Sequence, residues 1–433
     1  MSKPTYEVRE GDCLAILKTL PDASVDAVVT DPPAGIGFMG KAWDNDKGGR
    51  RQWIAWLTEV MRECLRVLKP GGHALVWSLP RTSHWTGTAC EDAGFEVRDT
   101  VAHINSQGFP KSHDVSKAIE KHLGGELAVV GYPTAYDGAV RDRTGTHAQP
   151  FSDQGGHGHK DRWATPVTAA TSEAAKQWTG YGTALKPAVE TWWLLRKPLE
   201  GTVAENVLTH GVGGINIDGC RIAAPPRSIL VYENGKGNHG FYTDTDGKES
   251  GLIEKTETRG RWPANLILSS EAAEELDAQS GIQKDGVAVQ RHGGGQQIGG
   301  ASKRTGSGSK GGPRADAGFG GSGGASRFFY VAKPSTRERN AGTDGNNHPT
   351  VKPIALMRYL VRLVTPPGGL VLDPFTGSGT TGVACALEGF RFLGCEDDSE
   401  HAALARKRIQ HWRGEAEEPQ DAETDTMEPP LEW

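Results

Sequence analysis

The run "LVLDPFTGSGTTGVACALEG" (residues 370–389) constrains the fold more than any other stretch of the chain. A short apolar segment ends in Asp373, a Gly-rich turn follows, and apolar residues then recur at helical spacing, which predicts strand, turn and helix. "FRFLGCEDD" (390–398) predicts the next strand, ending in acids. Together these form the βαβ pattern of a nucleotide site. Gly377 and Gly379 let the backbone turn and approach a ligand, and the helix start offers free N–H groups. Glu396, 19 residues after Gly377, is placed for ribose hydroxyls. The spacing is neither the dinucleotide G-x-G-x-x-G nor the Walker lysine loop, and a plain structural turn does not account for Asp373, Phe375 and Glu396 together.

The first part of the chain, residues 1–124, shows the same alternation of buried strands and amphipathic helices. "SVDAVVT" reads as a strand, and "HALVWS" and "FEVRDTVAHI" as others. Trp53, Trp56, Leu57, Val60, Met61, Cys64, Leu65 and Leu68 recur at steps of three and four, predicting one face of a helix that stops at "KPGG" (69–72). Residues 125–347 are polar, Gly-rich and full of turn signals, with apolar islands at "TWWLLRKPL", "GGINIDGCRI", "RWPANLIL" and "RFFYVAKP". The α/β pattern returns over 348–413. An α/β fold with one mostly parallel sheet built from both chain ends, and the middle as an insertion, is therefore expected. The segment 181–199 is expected to return to the sheet as a strand near 190–198, with Trp192 and Trp193 in the core.

The formal net charge of -6 is concentrated at the end: residues 414–433 hold eight acids and no base, which predicts a disordered acidic tail and leaves the rest slightly basic. Residues 281–330 contain sixteen glycines, seven Lys or Arg and two acids, a pattern open to either a linker or a basic loop that orders on a polyanion. No apolar run approaches a membrane span, and no secretory leader is legible at the start. The six cysteines contain no C-x-x-C pair, so free thiols in the cytoplasm are expected. His157 and His159 lack cysteine or carboxylate partners at ligand spacing, so no metal is expected.

"DPFTGSGT" resembles the S-adenosylmethionine motif of amino-methyltransferases acting on DNA, and "TDPP" after a buried strand resembles their catalytic D/N/S-P-P-Y/F/W motif. "HPTVKP" (348–353) is similar to the segment that precedes the cofactor motif in those enzymes, and "LKPGGHALVW" and "GFPKSHDVSK" resemble further family stretches. The catalytic motif precedes the cofactor motif, an order that looks like the β class of DNA methyltransferases. The resemblance implies a Rossmann-like S-adenosylmethionine-dependent methyltransferase fold with permuted motif order, a target-recognition region in the insertion, and double-stranded DNA as partner. It leaves a homodimer open. It also implies that Asp373, Phe375, Gly377, Gly379 and Thr380 surround the methionine end of the cofactor. Thr350 and Lys352 hold its carboxylate, Glu396 the ribose, and Asp12 the adenine amino group. Asp12 also fits a helix N-cap, and Lys352 a solvated loop charge.

The same resemblance assigns catalysis to Asp31, Pro32, Pro33 and Ala34. An exocyclic amino nitrogen spreads its lone pair into the base ring; Asp31, accepting its N–H, localises that pair and drains positive charge as the N–CH3 bond forms. The Pro32 carbonyl accepts the second N–H. The base must leave the duplex stack, and the motif's aromatic residue normally stacks on it. Here that residue is Ala34. Three readings follow: a catalyst slowed by roughly one to two decades, since stacking is worth about 1–3 kcal/mol; a stack supplied by Phe38 or Trp43; or room for a carboxymethyl group from carboxy-S-adenosylmethionine, with Lys41 or another base as counter-charge. Adenine N6 is favoured over cytosine N4 because the motif opens with Asp. A catalytically silent DNA-binding protein and a protein or RNA methyltransferase are the rival classes.

Overall fold

The computed structural model describes residues 5–37, 40, 42–106, 112–131, 167–225, 227–232, 252–257, 259–284, 322–332, 338, 340–343 and 351–417. The chain divides into two compact units, residues 107–188 and the remainder.

The larger unit is built on a nine-stranded sheet. Its strands in chain order are β1 (Tyr6–Glu10), β2 (Val25–Thr30), β3 (Leu68–Ser78), β4 (Glu96–Ile104), β5 (Val189–Arg196), β6 (Leu266–Ser269), β7 (Tyr330–Ala332), β8 (Leu370–Asp373) and β9 (Arg391–Glu396), and their order in space is β1-β9-β8-β2-β3-β5-β4-β6-β7. Every pairing is parallel except those of β5, which runs antiparallel to both β3 and β4. All six residues of β2 are buried, as a central parallel strand covered on both faces requires. Ala27 and Val29 join one hydrophobic cluster and Val28 the other, so strand alternation feeds two cores on opposite faces.

The helices of the larger unit that matter for the site are α1 (Cys13–Leu17), α2 (Arg50–Val67) and α3 (Ser83–Ala93), and, after α4 (Val115–His122) of the smaller unit, α5 (Ile354–Val364), α6 (Thr380–Glu388) and α7 (Ser399–Glu417). In α2 the predicted face is the buried one: Trp53, Leu57, Val60, Met61 and Cys64 pack with α3 in one core. "KPGG" does end this helix, but it lies inside β3. The register between β2 and β3 shifts between Val25 and Ala27, and Gly71 at φ +75 carries the chain through the irregularity.

The segment read as an insertion, 125–347, is divided. Its strand near 190–198 forms β5, and two of its apolar islands supply β6 and β7 of the main sheet, so only 107–188 separates as a unit. The islands contain too few residues to show a strand period, and only pairing beside β4 makes them strands. In the smaller unit, Asp114 caps α4 and Glu120 accepts four hydrogen bonds from the backbone and hydroxyls of Thr171 and Ser172. All six cysteines are unpaired. Among the described residues no helix is long and apolar enough to cross a membrane.

Candidate active site

The crossover after β2 runs through α2 to β3, and that after β8 runs through α6 to β9, in opposite directions along the sheet. The crevice at the carboxyl ends of β2 and β8 is thus the switch point where an open α/β sheet binds its ligand. Asp31 and the Gly-rich turn meet there.

The loop after β2 is held by backbone acceptors and donors. Thr82 Oγ1 donates to the Ala34 carbonyl at 2.9 Å, and buried Asp44 accepts the Gly35 amide at 2.9 Å while its own carbonyl accepts the Gly37 amide at 2.6 Å. Gly35 sits at φ +70, and a Cβ there would lie 2.6 Å from Nε1 of fully buried Trp53, so this turn requires glycine. Pro32 is buried; Asp31, Pro33 and Ala34 are half-buried.

Asp31 Oδ2 pairs with Lys352 Nζ at 2.8 Å, and the same ammonium lies 4.0 Å from the centre of the Trp77 ring. Burial raises the Asp31 carboxyl above its ordinary pKa, opposed by Lys352. For Lys352 burial works downward, but the attraction of Asp31 and Glu190 outweighs it, and the amine is raised. Lys352 is therefore an ammonium set against the expected catalytic acid, where the sequence directed it to a cofactor carboxylate. Its expected companion Thr350 lies outside the described residues, as do Phe38, Lys41, His157, His159 and residues 418–433 of the expected acidic tail; its first residues, 414–417, continue α7 instead of being disordered.

The Gly-rich turn is closed by its own acids. Asp373, nearly sealed from solvent, accepts from Thr30 Oγ1 at 2.7 Å, Thr381 Oγ1 at 2.6 Å and the Phe375 amide at 3.1 Å; burial pushes its pKa up to about 6. Glu396 accepts the Gly377 amide at 2.7 Å and the Asp398 amide at 3.1 Å, and burial pushes it up to about 7. Asp12 caps α1 through the Ala15 amide at 2.8 Å, and the neighbouring Gly11 amide donates to the Glu396 carbonyl at 2.8 Å, so both acids stand at one strand-end corner. The Phe375 ring lies 5.6 Å from that of Trp56 on the α2 side. Gly379 starts α6 at φ +78. Thr380 and Ser378 are held by Arg408 of α7, whose Nη1 donates to the Ser378 carbonyl at 2.6 Å and lies 3.0 Å from Ser378 Oγ and 3.1 Å from Thr380 Oγ1.

Arg408, fully buried, was not foreseen, although it falls three residues after Ala405 on the apolar face of α7, where a charge signals a buried partner. Glu190 and His103 were also missed. Nothing local marks them, since they meet only across the antiparallel pairing of β4 with β5. Trp192 is core, as expected, and Trp193 donates from Nε1 to Ser83 Oγ at 3.1 Å. Among the described residues no group of three or more His, Cys, Asp or Glu could hold a metal.

A mostly parallel sheet with an acid-bearing Pro-Pro loop beside a Gly-rich turn defines an α/β protein with a ligand crevice at its switch point. The chain belongs to the DNA methylase family, whose model matches residues 25–126 and 141–407. It is similar to the type II methyltransferase M2.DpnII of Streptococcus pneumoniae (44% identity over 63 residues, 14% of this chain and 24% of that protein). It is also similar to the DNA adenine methyltransferase YhdJ of Escherichia coli K12 (43% over 63 residues, 14% of this chain and 21% of that protein). The matched region thus spans about a quarter or less of these relatives. Among solved structures, the M1.HpyAVI–SAM complex aligns with 94% of this chain and 99% of its own at 16% identity and a TM-score of 0.37. The cytosine-N4-specific PvuII DNA methyltransferase aligns with 96% and 95% at 13% identity and a TM-score of 0.39.

Proposed function

We propose that this chain transfers a methyl group from S-adenosylmethionine to the N6 amino group of adenine in double-stranded DNA. The observation that carries the reading is the ion-paired carboxylate of Asp31 beside Pro32 at the carboxyl end of β2, next to the Gly-rich turn. The cofactor supplies an electrophilic sulfonium methyl. Its residues fit: buried Glu396 stands at the end of the next strand for ribose hydroxyls, and Asp12 stands at the same corner for an adenine amino group. Lys352 serves the cofactor carboxylate only if it can leave or share Asp31.

Asp31 accepts one N–H of the flipped base and the Pro32 carbonyl the other, which localises the nitrogen lone pair and offsets the charge that builds on nitrogen. As the methyl–nitrogen bond forms at the expense of the sulfonium S–CH3 bond, which would leave a neutral thioether, the surplus N–H proton passes to Asp31 and on to solvent. Asp31→Asn keeps the shape but loses the charge, and removal of such an electrostatic acceptor is expected to lower kcat by about 100-fold or more.

The test is incubation of duplex DNA with protein and cofactor, followed by mass and position of modified nucleosides. N6-methyladenine that disappears with Asp31→Asn supports the reading. N4-methylcytosine corrects the base, a carboxymethylated adenine corrects the transferred group and makes carboxy-S-adenosylmethionine the cofactor, and unmodified DNA overturns catalysis.

A further inference from the structure

Four adjacent strands, β2, β3, β5 and β4, present a row of ionisable and aromatic side chains along one edge of the sheet. Asp31 follows Thr30, which pairs with Val76, so it stands beside Trp77; across the next two pairings Ser78 faces Thr191 and Glu190 faces His103. Trp77 pairs with Trp192, so Glu190 lies two strand spacings across and two residues along from Asp31, about 12 Å by backbone. Lys352 reaches in from the loop before α5 and sits over Trp77 on the intervening strand, with its ammonium on Asp31. At the far end His103 Nδ1 approaches Glu190 Oε2 at 3.5 Å, with the His103 ring buried.

The row raises a problem of charge. Asp31 and Lys352 alone sum to zero, and a neutral pair stabilises a developing positive charge poorly. With Glu190 the row itself keeps one negative charge in excess, beside the Asp44 carboxyl that accepts the Gly35 amide, and so faces the positive charge that enters with the sulfonium and moves to the amino nitrogen.

We infer that Glu190 is a positioning residue for the transfer: it draws Lys352 toward β5 across the Trp77 face, and it restores the negative charge that Lys352 takes from Asp31. The inference rests on the reading of Asp31 as the amino acceptor. Consistent with it, Glu190 is held down at about 2: its burial opposes ionisation, but the attraction of Lys352 and the hydrogen bond from His103 prevail, so it is an anion throughout the working range. The groups facing this row are Lys352 from the α5 loop, Asp31 and Asp44 from the loop after β2, Trp77 from β3 and His103 from β4.

The experiment compares Glu190→Gln, Lys352→Met and the double variant, with saturating cofactor and DNA and with equilibrium binding of each measured separately. A unit charge about 12 Å away at an effective dielectric near 20 alters a rate by about tenfold, so Glu190→Gln lowers kcat by about that factor. At the same time the acid limb of its pH profile moves down, because Asp31 loses a like charge. In the double variant Asp31 alone supplies the one negative charge, and kcat recovers above that of Glu190→Gln. In the cofactor-free protein, Glu190→Gln makes Lys352 more reactive toward an amine-labelling reagent at a fixed pH.

Unchanged kcat, pH profile and labelling in Glu190→Gln overturn the inference, as does a double variant no faster than the single one. If Glu190→Gln does not fold, the Lys352→Met background carries the same test: adding Glu190→Gln there lowers the acid limb without lowering kcat, and a fall in kcat counts against the role. A wild-type protein whose transfer is indifferent to Asp31→Asn instead removes the reading on which the inference stands.

Discussion

Thr30 Oγ1 donates to Asp373 Oδ1 at 2.7 Å, joining the ends of β2 and β8 across 343 residues of chain. One hydroxyl thus fastens the loop that carries Asp31 to the turn that carries the nucleotide glycines. Thr30→Val keeps the shape and removes one donor from a buried carboxylate. The expected loss is about 1–3 kcal/mol of stability by denaturant unfolding. Because the missing donor served the ionised form, the deficit is larger at pH 8 than at pH 5, on either side of the Asp373 value of about 6. Equal deficits at both pH values contradict this role.

Glu396 predicts a pH dependence of the free protein. Its folded pKa of about 7 lies above the unfolded value of about 4.3, so the folded state holds the extra proton in that window. Its contribution to stability is full below the unfolded value and falls as pH rises toward 7. Thermal unfolding should show wild type losing stability relative to Glu396→Gln from pH 5 to pH 8. Under the proposed function a ribose hydroxyl favours the carboxylate, so cofactor binding at pH 6 releases a proton, measurable by calorimetry in buffers of different ionisation enthalpy.

Ala34 bears on rate. Its carbonyl is anchored by Thr82 whatever its side chain, so Ala34→Tyr adds a ring without freeing the loop. If base stacking is the missing element, single-turnover transfer rises by roughly one to two decades, the equivalent of about 1–3 kcal/mol. A rate unchanged or lowered assigns the stack to another residue or the space to a larger transferred group, and product mass separates those two.

Gly379 tests the turn itself. At φ +78, with a built Cβ only 2.8 Å from Ala405 Cβ and 2.9 Å from its Cα, Gly379→Ala strains the backbone and presses on α7. About 1–3 kcal/mol of stability is the expected cost of the dihedral alone. Compared with Ala405→Gly alone, adding Gly379→Ala should cost less than it does in the wild type by the share of the contact due to the Ala405 Cβ, and still cost the contact with the Ala405 backbone and the dihedral part, as read by denaturant midpoints.

What the sequence determined alone is what repeats over short distances. The buried runs of β2, β8 and β9, the apolar face of α2, and the two loops bearing Asp31 and Gly377 were all legible, because strand and helix periods act over a few residues. So was Trp192 as core, while Asp12 as a cap stood only as the alternative to an adenine-binding acid. Tertiary structure decided the partners of the charges. That Lys352 pairs with Asp31, that Glu190 and His103 join the row, that Arg408 braces the Gly-rich turn, and that β6 and β7 leave the expected insertion for the main sheet all depend on strand order and register. A buried charge takes its partner from whichever strand lies beside it, and that neighbour can stand hundreds of residues away.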